Sequence, residues 1–124
     1  QISKLANQII VGLTIGAVAE AVSLCEKAGA DPSKMIKALK GGWADSKVLQ
    51  THGQRMIKKD FSPKGKTSTQ LKDMNNILRC AKDSNLHLPI STLVREMYNN
   101  LVNNGCENED HSSLYKEIER INQK

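Results

Sequence analysis

Residues 3–27 read SKLANQIIVGLTIGAVAEAVSLCEK, and the fold follows from this stretch. Between Ile9 and Cys25 the only charge is Glu20, and apolar side chains occur all around the helix that this pattern predicts. A helix that is apolar on every side either crosses a membrane or stands inside a bundle. The Gly12-x-x-x-Gly16 pair suits either setting, since small residues let neighbouring helices approach. The uninterrupted run, however, falls short of the roughly 18 apolar residues a span requires, is rich in Gly and Ala, and lacks flanking aromatics. It reads as the central post of a bundle away from the membrane, with Gly12, Gly16 and Ala19 as the close-approach positions.

Outward from that post, every periodic segment is helical. Ala28-Gly29-Ala30 ends the first helix near Lys27, with Gly29 as the left-handed residue. Asp31-Pro32 follows as an N-cap with proline in the first turn. The second helix carries Met35, Ile36 and Leu39 on one face and ends at Gly41-Gly42. Asp45 or Ser46 caps a third, with Val48, Leu49, Met56 and Ile57. After a Pro63/Gly65 loop, a fourth runs from about Thr69 to Ser84, its Leu71, Met74, Ile77, Leu78 and Ala81 spaced for one face. Pro89 opens a fifth, and Asp110 caps a last short helix with Leu114, Ile118 and Ile121. No strand-like alternation occurs. The fold class is all-α.

The length of 124 residues suits one domain with one modest core. Aromatics make up only 3% of the chain, so Leu, Ile, Val, Ala and Met must build that core. The chain starts at Gln1, shows no signal-peptide pattern, and begins inside a helical pattern, as expected for part of a longer protein. The three cysteines, Cys25, Cys80 and Cys106, have no CxxC spacing, and Cys25 and Cys80 fall on apolar helical faces. This fits reduced thiols in the cytoplasm. His52, His87 and His111 are scattered along the chain, so no metal site is expected. The net charge of +5 concentrates in a loop bearing Lys58, Lys59, Lys64, Lys66 and Lys72. Nucleic-acid binding would need such a cluster, but it would also want arginines and stacking aromatics, and Phe61 stands alone. A solvated face is the better account.

Lys4, Asn7 and Gln8 share one helical face at the open N-terminal end. A solvated helix end explains them without function. Lysine is mildly unfavourable near the positive end of the helix dipole, though, and proton transfer near neutrality uses groups in such strained settings.

Several stretches recur in one order and spacing: the KxxN[NQ] start at Lys4, the GGxAxS segment of Gly41, Gly42, Ala44 and Ser46, the LKD segment of Leu71, Lys72 and Asp73, and the DHSSL of residues 110–114. Together they resemble the C-terminal helical domain of the β-hydroxyacid dehydrogenase family, whose architecture is that of the two-domain, 6-phosphogluconate-dehydrogenase-like enzymes. The resemblance covers essentially residues 1–124, which it implies are one all-helical catalytic and dimerisation domain, without the N-terminal Rossmann domain. It implies an NAD(P)-dependent oxidoreductase that reduces 2-hydroxy-3-oxopropionate or oxidises a related 3-hydroxy acid. It implies Lys4 as catalytic acid and base, Asn7 as a substrate ligand, and Lys72 and Asp73 at the cofactor. It further implies a homo-oligomer, no metal, and no turnover by the isolated chain. One position departs from the pattern: Gly65 stands where many members carry a phenylalanine near the cofactor. Two other classes remain open from the residues alone: an oligomerisation module and a basic helical nucleic-acid-binding domain.

Overall fold

In the computed structural model, which describes residues 1–123, six α-helices follow one another: α1 (Ile2–Lys27), α2 (Pro32–Leu39), α3 (Lys47–Lys58), α4 (Thr67–Asp83), α5 (Pro89–Leu101) and α6 (Leu114–Ile121). A π-type turn (Val102–Cys106) extends α5, and a single 3-10 turn (His111–Ser113) leads into α6. No strand forms among the described residues; one isolated antiparallel bridge joins Lys66 to Asp110.

Helix α1 packs against each of the other five helices, so the first helix is the central post. Its Ile15, Val18, Ala19 and Val22 meet Ile36 of α2, Leu49 and Met56 of α3, Met74 and Ile77 of α4, Val94, Tyr98 and Leu101 of α5, and Leu114 and Ile118 of α6 in one continuous core. The close approach expected at the glycines is real at one of them. A Cβ on Gly12 would stand 2.9 Å from Gln70 Nε2 and 3.1 Å from Met74 Sδ, whereas one on Gly16 would meet nothing nearer than Leu114 Cδ2 at 3.7 Å. Beside Gly12, the buried Tyr98 hydroxyl donates to the Gly12 carbonyl at 3.2 Å.

α1 is not covered all round. Ile10 is 67% exposed and Leu24 70%, on the side turned away from the core. Cys25 and Cys80 are half-buried rather than enclosed.

Local caps act as the sequence indicates. Gly29 takes φ 83°, and the Ala30 N–H closes onto the Cys25 carbonyl at 2.8 Å. The Asp31 carboxylate accepts from Ser33 N–H at 2.9 Å. Ser46 is the cap of α3, accepting from Leu49 N–H at 2.9 Å. Asp45 instead ties the preceding loop, accepting from Gly41 N–H at 2.8 Å and Gln50 Nε2 at 2.9 Å. Helix α4 begins at Thr67, earlier than its apolar pattern suggests. Its first N–H groups are satisfied from far along the chain: Thr67 N–H donates to the Glu109 carbonyl at 2.9 Å and Ser68 N–H to the Glu107 carbonyl at 3.0 Å. A helix start capped by a distant segment leaves no local signature.

Candidate functional site

Of the residues singled out in the sequence, the KxxN[NQ] and LKD segments meet where the start of α1 packs on the first half of α4. The Gln8 side-chain amide donates to Asp73 Oδ2 at 2.6 Å, and the Asn7 amide donates to Gln8 Oε1 at 3.2 Å. This chain of amides fixes the KxxN[NQ] segment against the LKD segment across 65 residues of sequence. Lys4 lies one turn before Gln8 on α1, and Lys72 precedes Asp73 on α4. Lys4, Asn7 and Lys72 are exposed, while Gln8 and Asp73 are half-buried. Gln8 is thus the residue that joins the two segments, a role its place in the motif did not reveal, because only the packing of α4 on α1 gives it a partner.

The site is open. Two clefts lie elsewhere on the surface, one at the α4–α5 turn lined by Leu78, Leu86 and His87, the other beside α6 lined by Glu20, Leu24 and Tyr115. Of the basic stretch, Lys58, Lys64 and Lys66 are exposed. Lys59 is not a free member of that basic group. It takes a left-handed conformation (φ 57°) after α3, and its ammonium contacts Glu26 Oε2 at 3.3 Å and the Tyr115 hydroxyl at 2.5 Å. Burial pulls its pKa down, but these two partners outweigh it and hold the lysine above its usual range.

Behind the loop that precedes α4 sits a second polar cluster that the sequence did not foretell. Asp110, buried, accepts from the N–H groups of Lys64 and Gly65, both at 3.1 Å, and from Ser112 N–H at 3.0 Å and the Ser112 hydroxyl. The Arg55 Nε stands 3.4 Å from Asp110 Oδ2, while its Nη2 donates to the Ser62 carbonyl. Burial raises the Asp110 carboxyl, but the Ser112 hydroxyl and the three backbone donors override it and hold it far below the usual carboxylate range. Next to it, His111 Nε2 lies 2.9 Å from His52 Nε2, and His111 Nδ1 lies 3.0 Å from Gln70 Oε1. Burial lowers the pKa of both histidines, so both are neutral at neutral pH. A Cβ on Gly65 would stand 3.1 Å from the His111 ring, so the glycine at this position gives the imidazole its place.

The chain is similar over nearly its whole length to known proteins. It is 45% identical to 2-hydroxy-3-oxopropionate reductase of Escherichia coli (strain K12), over 96% of this chain and 41% of that protein. It is 32% identical to the probable 3-hydroxyisobutyrate dehydrogenase-like 1, mitochondrial, of Arabidopsis thaliana, over 98% of this chain and 36% of that protein. Its fold superposes on the crystal structure of 3-hydroxyisobutyrate dehydrogenase from Salmonella typhimurium with a TM-score of 0.88 at 25% identity, covering 93% of this chain and 40% of that one. The chain therefore spans about two fifths of the length of the relatives it matches. Residues 1–118 match the family described as NAD-binding of NADP-dependent 3-hydroxyisobutyrate dehydrogenase, and this chain belongs to that family.

Proposed function

We propose that this chain is the C-terminal helical domain of an NAD(P)-dependent β-hydroxyacid dehydrogenase, residues 1–124, working with a Rossmann domain that precedes it in the full-length protein. The reaction is reduction of 2-hydroxy-3-oxopropionate or oxidation of a related 3-hydroxy acid. The observation that supports this most directly is the Gln8–Asp73 hydrogen bond at 2.6 Å, because it brings the lysine-bearing start of α1 and the LKD segment of α4 to one open end.

The donor set there fits one part of a dinucleotide. Lys72 offers an exposed cation and Asp73 a carboxylate already oriented by Gln8, while the described residues contain no glycine-rich turn to cradle a pyrophosphate. Bound there, the nicotinamide would supply or accept hydride. The chain's own work is to hold the substrate with the Asn7 amide and to carry a proton on Lys4 Nζ. In reduction, Lys4 protonates the oxygen that becomes the hydroxyl; in oxidation it removes that proton. Lys4 is exposed in this chain, so the water-free setting that proton transfer favours must come from the domain that covers this end. Turnover of 2-hydroxy-3-oxopropionate by the full-length protein with NADH or NADPH, together with no turnover and no NADH fluorescence change by the isolated chain, is the expected result. Micromolar NADH binding by the isolated chain would overturn the division of labour.

The exposed Ile2, Ile10 and Leu24 favour a compatible second role, association of copies through α1. Sedimentation of the chain should show concentration-dependent self-association, and a strict monomer at high concentration would remove that role.

A further inference from the structure

We propose that His52 and His111 form a binding site for one borderline divalent cation of the Zn²⁺, Co²⁺ or Cu²⁺ class, with water completing its shell. Their Nε2 atoms, 59 residues apart in sequence, face each other at 2.9 Å. Two imidazole nitrogens that share a metal at about 2.1 Å lie roughly 3.0–3.4 Å from each other, so a shift of a few tenths of an ångström converts this pair into ligands. A carboxylate oxygen of Asp110 lies with the two histidines in one group whose ligand atoms are all within 4.8 Å.

With the Gln70 amide oriented as it is here, the proton inventory leaves room for a cation. With Gln70 Oε1 3.0 Å from His111 Nδ1, the His111 proton sits on Nδ1 and its Nε2 presents a lone pair. His52 must then carry its proton on Nε2 to avoid lone-pair repulsion, and that strips Nδ1, which is buried with no hydrogen-bond partner. A cation shared by the two Nε2 atoms lets His52 keep its proton on Nδ1, and the Val48 carbonyl is a backbone hydrogen-bond partner of this histidine. Gln70 then serves as the outer partner that fixes a ligating imidazole. Arg55 offsets the charge of Asp110, which is already engaged by four donors. The ligand set is therefore two neutral imidazoles, which selects borderline cations over Mg²⁺ or Ca²⁺. The site clips α3 to the turn before α6 and to the loop at Gly65, and it is independent of the dehydrogenase reading.

Titration of the chain with Co²⁺, followed by visible absorption, should show saturable one-to-one binding. His52→Gln and His111→Gln should each weaken it by at least about tenfold, by the measure of lost metal partners, and His87→Gln should leave it unchanged. Imidazole ¹⁵N spectra of the unaltered chain provide a reading independent of how the variants fold: Zn²⁺ should shift the Nε2 signals of His52 and His111 and not those of His87. The proposal is overturned by the absence of saturable binding, by binding that disappears when Cys25, Cys80 and Cys106 are changed to serine, or by a His111 Nε2 proton donated to His52 that Zn²⁺ leaves in place.

Discussion

The two polar regions of this bundle are built on opposite plans. At the α1–α4 end, the cations and amide proposed to act, Lys4, Lys72 and Asn7, are all exposed on single helices, and one amide–carboxylate contact joins the segments. At the junction behind Gly65, Asp110 is buried under four hydrogen bonds, and residues from α3, α4 and the turn before α6 close around it. The first region leaves Lys4, Asn7 and Lys72 open to solvent, and in the proposed function a second domain covers them. The second is finished and fixes the loop from which α4 departs. Function needs the former to be accessible, and stability needs the latter to be satisfied.

The largest expected effect tests the open end. In the full-length enzyme, Lys4→Arg should lower kcat by about 10²–10⁴ in both directions with little change in cofactor KM, because arginine holds its proton too tightly to exchange it. Lys72→Ala should chiefly raise cofactor KM. Near-normal kcat in the Lys4→Arg enzyme would return that lysine to the role of a solvated helix end.

Asp110→Ala should strike the closed region with little direct effect on chemistry. It leaves Arg55, whose side chain is only 13% exposed, without its carboxylate and strips acceptors from the Gly65 loop. Loss of one partner of a buried pair costs on the order of 3 kcal/mol, measurable as a drop in the urea midpoint. A loss well under 1 kcal/mol would mean that water replaces the carboxylate and that the junction is less closed than its hydrogen bonds indicate.

A smaller pair of substitutions compares two positions of α1. Gly12→Ala should destabilise by about 1 kcal/mol through its contact with Gln70 and Met74. Gly16→Ala should stabilise by up to about 1 kcal/mol, since its Cβ meets only ordinary contacts and alanine favours the helix. Equal signs in thermal unfolding would break the distinction.

The smallest effect is on pH dependence and sits at Glu117 of α6. Burial raises the Glu117 carboxyl, but Arg120 at 2.7 Å and Asn100 at 3.0 Å override it and hold it below its ordinary 4.5. A carboxyl depressed in the folded state contributes stability that is fully present above its unfolded pKa and lost as pH falls through the folded one. Stability should therefore decline below about pH 4.5, and Glu117→Gln should flatten part of that decline. An unchanged profile would assign it to other carboxylates.

Much of the architecture was legible from residue patterns. The bounds of α1 follow from its apolar run and Gly29, and α2 and α3 start where Asp31 and Ser46 cap them. The meeting of α1 with α4 was legible only as two separate motifs, since nothing in KxxN[NQ] or LKD says that Gln8 finds Asp73. The histidine junction was not legible at all, because its members come from α3 and from the turn before α6.

By itself, then, the sequence determined which segments are helical, which faces are apolar and where the caps fall, since those depend on residues within a turn or two of one another. Tertiary structure decided which polar groups meet: Gln8 with Asp73, His52 with His111, and the N–H groups of Thr67 and Ser68 with carbonyls near Asp110. The reason is physical. A buried polar group must find a partner wherever the packing of apolar faces leaves it, and that packing is a property of the whole core rather than of any local stretch.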